Sequence, residues 1–141
     1  MMDKCTDVVL STVCDHKKYE DSVKYMSEMF EREVFDEAII AYSTGINVAS
    51  AAISVLKRDP IIFKDGGFIN NRQLKAEDMK GKRCIVMGDM LTSGSVAGEI
   101  LKIVSDNGGK VIKLGFLVED SQFSARKKYL KGYPVESMTI L

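Results

Sequence analysis

The chain alternates between short apolar runs and longer stretches in which apolar residues recur every three or four positions. Apolar runs of about four to eight residues are typical of buried strands, and the longer spacing is typical of helices that bury one face. The pattern therefore predicts strands separated by helices. Because parallel strands need such crossovers, we expect an α/β fold, a parallel sheet flanked by helices on both faces.

The boundaries follow from the runs and from the glycines and prolines between them. The expected strands are 7–14, 38–42, 61–63, 83–88, 110–118 and 134–141. The expected helices are 17–33, 46–58, 95–107 and 121–132. Between them, 64–82 carries turn-forming Gly and Asn residues and is expected to be one long irregular loop. We expect a single domain over 1–141, with a strand and a helix in 1–34 and the core in 35–141.

Composition narrows the classes of partner. The 141 residues include 20 Lys and Arg against 20 Asp and Glu, so no overall field favours nucleic acid or a membrane surface, and we expect neither as a partner. No apolar run approaches the roughly 18–20 residues that a membrane span needs. Three cysteines without a CxxC pair fit a reducing compartment, and we expect a cytoplasmic protein.

The most informative segment is CIVMGDMLTSGSVAGE, residues 84–99. An apolar strand ends near Asp89 and is followed by Thr92, Ser93, Gly94 and Ser95 before a helical pattern begins. The first amides of a helix have no intrahelical partner, so this loop can direct several N–H groups and hydroxyls at one anion, such as a phosphate. Two simpler interpretations stay open, since Asp89 could be a turn acid and the hydroxyls could only cap the helix.

This segment resembles the phosphoribosyl-pyrophosphate loop of the type I phosphoribosyltransferases. FDEAIIAYSTGINVASAAI is similar to the strand, pyrophosphate loop and helix of that family, and FLVEDSQFSARKKYLKGYPVESMTIL resembles the carboxyl end of its orotate-type members. The resemblance covers about 35–141. It implies the type I phosphoribosyltransferase fold, here with a reduced hood because little chain precedes Phe35.

The resemblance also implies an activity and a set of site residues. The family transfers phosphoribose from phosphoribosyl pyrophosphate to a nucleobase, which in orotate-like members belongs to pyrimidine biosynthesis. Thr92, Ser93, Gly94 and Ser95 would hold the 5-phosphate, and Asp89 the ribose hydroxyls. Ser43, Thr44 and Gly45 would hold the pyrophosphate, with Mg²⁺ bound mainly through that substrate and no protein residue assigned as a metal ligand. Asp89 and Lys64 are the candidate catalytic residues, and a homodimer is implied.

Two departures from the family pattern favour an alternative function. Gly88 stands where the family has the first of two adjacent acids. The segment KDGGFINNRQLKAED, 64–78, is shorter than the family's Lys-rich loop and lacks its His-Gly pair, leaving Lys64, Arg72 and Lys75 as its cations. The alternative is a regulatory module that binds phosphoribosyl pyrophosphate or a nucleotide without turnover. Glu119 and Asp120 could face the base or form only a loop acid pair.

Overall fold

A computed structural model describes residues 4–42 and 46–141 of the chain. Its strands are β1 Glu37–Ala41, β2 Pro60–Lys64, β3 Gly67–Ile69, β4 Arg83–Leu91, β5 Lys110–Glu119 and β6 Val135–Ile140. Its α-helices are α1 Lys4–Val13, α2 His16–Glu28, α3 Asn47–Val55, α4 Ser95–Asp106 and α5 Ala125–Lys128. Short 3-10 helices cover Ala76–Met79 and Ser121–Phe123. In these ranges, no helix combines the length and apolar character that a membrane crossing requires.

The strands form one six-stranded sheet in the order β3-β2-β1-β4-β5-β6. The pairings among β2, β1, β4, β5 and β6 are all parallel, and only β3 pairs antiparallel, with β2. The order reverses between β1 and β4, which is the kind of position where α/β sheets bind ligands beyond their carboxyl ends. The expected α/β class, with a sheet flanked by helices, is confirmed.

Each face of the sheet has its own apolar core because alternate strand residues point to opposite faces. Ile40 belongs to the core under α1, α2 and α3, whereas its neighbour Ile39 belongs to the core under α4. Both residues are fully buried. The sheet is thus covered on both sides, and its carboxyl edge is left as the place where loops can form a site.

The amino-terminal prediction was wrong. Residues 7–14 were expected to be a strand, but Lys4–Val13 is helix α1. The buried residues of α1 are Cys5, Val9 and Thr12, whose spacing of four and three places them on one helical face. Packing of this face against the sheet and α2 outweighs the strand preference of the Val-Val pair. The reduced amino-terminal part is therefore two helices, not a strand and a helix.

The prediction of one long irregular loop over 64–82 was also wrong. β2 and β3 form a hairpin whose two-residue turn is Asp65-Gly66, with Lys64 paired to Gly67. Both turn residues have positive φ, 51° and 78°, as a type I′ turn requires. An Asp-Gly pair between apolar runs is a strong hairpin signal in sequence. A segment closed by so tight a turn has no free length to extend over the sheet edge.

Other elements follow the prediction with shifted boundaries. β4 continues to Leu91, three residues beyond the predicted end at Gly88. The predicted helix 121–132 is reduced to the 3-10 helix Ser121–Phe123 and the single turn α5, because Ser124 between them adopts positive φ. The extension of β4 is important for function because it places Asp89 inside a strand.

A buried ion-pair group fastens the second half of the 64–82 segment to the amino edge of the sheet. Glu37 begins β1, is 4% exposed, and accepts hydrogen bonds from Arg72 at 2.7 Å and from Lys82 at 2.8 Å. Burial alone would raise the pKa of Glu37, but the hydrogen bonds from Arg72 and Lys82 outweigh it, and the pKa lies below its usual value of 4.5. Glu37 is therefore expected to stabilise the ionised, folded chain.

Replacing Glu37 by Gln should reduce the free energy of unfolding by about 1–3 kcal/mol at neutral pH, because two cations lose a charged partner. Because the folded pKa is depressed, the wild-type contribution is present above about pH 4.5 and is lost as pH falls through the folded pKa. In urea denaturation experiments at acid pH, the free energy of unfolding should therefore fall less steeply with decreasing pH for Glu37→Gln than for the wild type. Asp106→Asn, in an exposed pair with Lys102, is the matched control and should change little.

Candidate functional site

The carboxyl edge of the sheet carries the segment that the sequence singled out. β4 ends at Leu91 and α4 begins at Ser95, so Thr92–Gly94 form a three-residue connection. This connection lines a small cavity of about 40 Å³. The full lining is Ala41, Met90, Leu91, Thr92, Ser93, Gly94, Ser95, Val96, Ala97 and Phe116. We call this the rim cavity.

Hydroxyls and helix-start amides converge on the rim cavity. The Ser95 amide donates to Ser93 Oγ at 3.3 Å, and the two serine hydroxyls lie 3.2 Å apart. The next amides, of Val96 and Ala97, belong to the first turn of α4 and have no intrahelical carbonyl to bind. Together with the positive end of the helix dipole, these donors suit an anion.

Gly94 shapes this connection for two separate reasons. Its φ is 84°, and it is the residue that caps the start of α4. A Cβ built on Gly94 would lie 2.8 Å from the Cβ of Ala125. No side chain fits there without moving the backbone, so Gly94 allows both the turn and the close packing of α5 behind it.

Asp89 is placed differently from the residues of the connection. Its side chain is 2% exposed, and its carboxylate accepts hydrogen bonds from the amides of Ala49 at 2.9 Å and Val48 at 3.4 Å, in the first turn of α3. Burial raises the pKa of Asp89 above its usual value, although the amide hydrogen bonds act in the opposite direction. The carboxylate is thus directed at α3, and the expected contact with ribose hydroxyls would have to compete with these bonds.

The second predicted loop, Ser43-Thr44-Gly45, lies outside the described residues. Its flanks are described: β1 ends at Ala41, and α3 begins at Asn47. Because Asp89 binds the start of α3, one carboxylate connects the strand that leads into Thr92–Ser95 with the helix that follows Ser43-Thr44-Gly45. Asp89 is therefore placed to fix the start of α3 relative to β4.

Of the three predicted cations, Lys64 lies at the carboxyl end of a strand, and Arg72 lies at the opposite edge. Lys64 ends β2, and its Nζ lies 5.0 Å from the centroid of the Tyr42 ring. It lines a second cavity of about 300 Å³ with Tyr42, Phe63, Asp65, Gly66, Val96 and Glu99. Arg72 instead binds Glu37 at the amino edge. Lys75 precedes the 3-10 helix Ala76–Met79 and lines a different cavity, together with Gly66 and Gly67. Val96 lines both cavities, so the two adjoin.

Comparison with known proteins now identifies the family. No family model matches the chain. The chain is 33% identical over 142 aligned positions to the adenine phosphoribosyltransferase of Thermotoga neapolitana, covering 89% of this chain and 83% of that protein. The chain belongs to the type I phosphoribosyltransferase family. With the adenine phosphoribosyltransferase of Thermotoga petrophila, 36% identity extends over 61 residues, 43% of this chain and only 35% of that protein.

Solved phosphoribosyltransferase structures show the same fold. The adenine phosphoribosyltransferase of Thermoanaerobacter pseudethanolicus superposes with a TM-score of 0.73 at 21% identity, covering 92% of this chain and 84% of that one. The orotate phosphoribosyltransferase of Mycobacterium tuberculosis, in complex with inorganic phosphate, gives 0.70 at 19% identity, covering 92% and 75%. The predicted family and its fold are confirmed.

The chain departs from its family pattern at Gly88, and the structure shows an aromatic neighbour there. Gly88 pairs with Phe116 across β4 and β5. A Cβ at Gly88 would lie 3.1 Å from two atoms of the Phe116 ring and 3.4 Å from the carbonyl oxygen of Ala41. Phe116 thus occupies the space beside Gly88 and forms an apolar wall of the rim cavity. Sequence reasoning missed Phe116 because the pairing of β4 with β5 is not visible in the chain.

The acid pair at the end of β5, Glu119 and Asp120, makes structural contacts in this chain. Glu119 is almost fully buried and accepts hydrogen bonds from Arg126, the shortest at 2.7 Å, and from Ser137 at 2.8 Å. Asp120 accepts from the amide of Gln122 at 3.0 Å at the start of a 3-10 helix. Of the two interpretations left open by the sequence, these contacts favour the loop acid pair, which fastens α5 to the sheet.

Proposed function

We propose that this chain binds phosphoribosyl pyrophosphate at the rim cavity and transfers its phosphoribosyl group to a nucleobase. The observation that carries this proposal is the position of Thr92–Ser95, a cluster of amides and hydroxyls beside the rim cavity at the carboxyl edge of the sheet. In the proposed roles, this segment holds the 5-phosphate, and Ser43, Thr44 and Gly45 hold the pyrophosphate. Membership of the family supports both assignments.

The proposed reaction is a displacement at the anomeric carbon of the ribose. A ring nitrogen of the base forms the new bond to that carbon as the bond to the pyrophosphate oxygen breaks. Pyrophosphate leaves with the electron pair, and the base loses a proton to solvent. Catalysis of such a step consists mainly of positioning and of neutralising the charge that develops on the leaving group.

Mg²⁺ is the proposed cofactor, carried by the pyrophosphate. In the parts of the chain that the structure describes, no three or more His, Cys, Asp or Glu side chains are grouped as metal ligands. Asp65 and Glu99 line the second cavity, and Mg²⁺ characteristically combines one or two carboxylates with water and substrate phosphates. This donor set fits a substrate-bound ion, which would neutralise part of the leaving-group charge.

Lys64 is the proposed protein cation for the pyrophosphate. Replacing Lys64 by Ala should lower kcat/KM for phosphoribosyl pyrophosphate about tenfold, the equivalent of ~1.4 kcal/mol, since an exposed cation at the second cavity is lost. Binding of ribose 5-phosphate should be unchanged because that ligand has no pyrophosphate. Lys110→Ala, at the amino end of β5, is the matched control. Equal losses in both variants, or a loss of ribose 5-phosphate binding, would contradict the role.

The base can be identified by a direct assay. The resemblance of the carboxyl-terminal segment indicates orotate, whereas the named relatives are adenine phosphoribosyltransferases. We would incubate the protein with phosphoribosyl pyrophosphate, Mg²⁺ and each of adenine, guanine, hypoxanthine, orotate and uracil, and measure pyrophosphate release. Release with one base establishes the transferase and its substrate. No release with any base contradicts the catalytic proposal.

A second function, binding without turnover, is favoured by two observations. Phe116 fills the space beside Gly88, and the Asp65-Gly66 turn leaves no long segment to cover the site. Calorimetry with phosphoribosyl pyrophosphate separates the two functions. If this compound binds but no base causes release of pyrophosphate, the chain is the regulatory module. If neither binding nor release is measured, both proposals are wrong. We also propose a homodimer, which light scattering of the purified protein would test.

A further inference from the structure

The rim cavity has no charged wall within the part of the chain that the structure describes. Its lining consists of apolar side chains and of the small polar residues Thr92, Ser93, Gly94 and Ser95. These polar groups lie together at the start of α4, where they would donate hydrogen bonds to one phosphate. The neighbouring side chains, Phe116 among them, are apolar, and within the residues that the structure describes they carry no acceptor for a sugar hydroxyl.

Gly88 adds no side chain beside the rim cavity, and a larger side chain there would require the Phe116 ring to shift by a few tenths of an ångström. The Phe116 ring, 1% exposed, lies 3.1 Å from the position that a Cβ would occupy. Contacts this short are tighter than ordinary van der Waals packing, and an aromatic ring inside a core has little freedom to withdraw. The space beside position 88 is therefore occupied largely by a hydrocarbon ring and not by an acid.

Asp89, the next residue, points to the other face of the sheet. Its carboxylate accepts from the amides of Val48 and Ala49, which are themselves fully buried. Turning the carboxylate toward a sugar would leave those amides without an acceptor, which is unfavourable for buried donors. Asp65 and Glu99 line the adjoining second cavity rather than the rim cavity.

From these contacts we infer that the site recognises the 5-phosphate of a pentose without using its 2-hydroxyl, so that 2-deoxyribose 5-phosphates bind as well as ribose 5-phosphates. The inference rests on the proposed role of Thr92–Ser95 in holding the phosphate. A site that hydrogen-bonds a hydroxyl rejects the analogue lacking it because a buried polar group is left unpaired. Where an apolar ring faces the sugar, removing the hydroxyl leaves no group unpaired.

The first test compares ligands on the unmodified protein by calorimetry, using ribose 5-phosphate, 2-deoxyribose 5-phosphate and inorganic phosphate. We expect the two sugar phosphates to have dissociation constants within about threefold of each other, where a built hydroxyl site would separate them far more. Binding of the ribose compound more than about tenfold tighter would overturn this inference and leave the phosphate site standing. Binding of neither sugar phosphate would overturn both.

The second test creates the missing acid. Gly88→Asp combined with Phe116→Val provides both a carboxylate and the space for it, and should produce a preference for ribose 5-phosphate of about tenfold or more. Phe116→Val alone is the matched control: it opens the same space without the acid, and its ribose-to-deoxyribose ratio should stay near that of the wild type, whatever the absolute affinities. Thermal melting establishes that each variant is folded.

The double variant also tests the geometry independently of the wild-type ratio. If folded Gly88→Asp/Phe116→Val binds both sugar phosphates equally, the side chain at position 88 does not face the sugar, and the argument from Gly88 and Phe116 is overturned. If the double variant does not fold, the wild-type protein still decides: its dissociation constants for ribose 5-phosphate and 2-deoxyribose 5-phosphate are either similar, as inferred, or clearly different.

Discussion

Replacing Gly94 by Ala should weaken the binding of ribose 5-phosphate by about 100-fold or more. The added Cβ would lie 2.8 Å from the Cβ of Ala125, and the residue would have to keep a φ of 84°. The connection must therefore move, which turns the first amides of α4 away from the position of the anion. Loss of two charge-assisted hydrogen bonds, at about 1.5–3 kcal/mol each, accounts for the expected loss of affinity.

The chain contains a matched control for this variant. Gly132 has a similar φ of 89°, but a Cβ there would meet no atom within 4 Å. Gly132→Ala therefore has the same backbone strain, of about 1–3 kcal/mol, without the steric contact and away from the rim cavity. Calorimetry should show unchanged ribose 5-phosphate binding for Gly132→Ala. Equal weakening in both variants would mean that general destabilisation, not the phosphate cradle, controls affinity.

The phosphate segment could be predicted from the sequence because every part of it is local. An apolar strand, a connection of small residues with Gly94, and a periodic helix follow one another within 83–106. The Asp65-Gly66 hairpin was equally local and could have been predicted, since the pair lies between two apolar runs. The amino-terminal helix was harder, because the spacing of Cys5, Val9 and Thr12 competes with a continuous Val-Val-Leu run.

The contacts that decide how the site works are long-range and could not be predicted in this way. Asp89 binds an amide 40 residues earlier in the chain, and Phe116 meets Gly88 only because β4 and β5 pair in one particular register. The sequence shows that an acid is missing at Gly88, but only the packed structure shows what has taken its space. Arg72 was considered for the ligand edge, yet its partner Glu37 holds it at the opposite edge.

Replacing Asp89 by Ala should have the second large effect, on both stability and ligand binding. Each buried amide left without an acceptor costs about 1–3 kcal/mol, so we expect a loss of about 2–4 kcal/mol from the Ala49 bond and the longer Val48 bond together. The start of α3 would also lose its connection to β4. We therefore expect phosphoribosyl pyrophosphate to bind less tightly, while ribose 5-phosphate is affected less.

Asp15→Ala is the matched control for Asp89→Ala. Asp15 also caps a helix, accepting from the amide of Lys18 at 3.0 Å, but it does so on the exposed surface at the start of α2. Removing such a cap typically costs about 1 kcal/mol. Urea denaturation should show the smaller loss for Asp15→Ala, and calorimetry should show no change in the binding of either ligand.

Asp89→Asn removes the charge but keeps one acceptor, the Asn Oδ1, for the shorter bond from the Ala49 amide; the longer Val48 bond, made to the other carboxylate oxygen, is lost. The folded pKa of Asp89 is raised, so the stabilising contribution of its protonation is complete below the unfolded value of 3.8 and is lost as pH rises through the folded pKa. As pH rises through this range, the wild type should therefore lose stability relative to Asp89→Asn. The pH dependence is opposite to that of Glu37, whose contribution to stability grows as pH rises. The measurement is the difference in unfolding free energy between the two proteins from about pH 4 to about pH 8.

The ligand dependence of these variants then distinguishes a positioning role from direct contact with the sugar. If Asp89 acts through α3, Asp89→Asn should retain most of its affinity for phosphoribosyl pyrophosphate, and both variants should bind ribose 5-phosphate and 2-deoxyribose 5-phosphate in the wild-type ratio. If Asp89 instead accepts the ribose hydroxyls, Asp89→Ala should weaken ribose 5-phosphate selectively, by about tenfold or more. That selective loss would return Asp89 to the role suggested by the family resemblance and would require its carboxylate to leave the Val48 and Ala49 amides when the sugar binds.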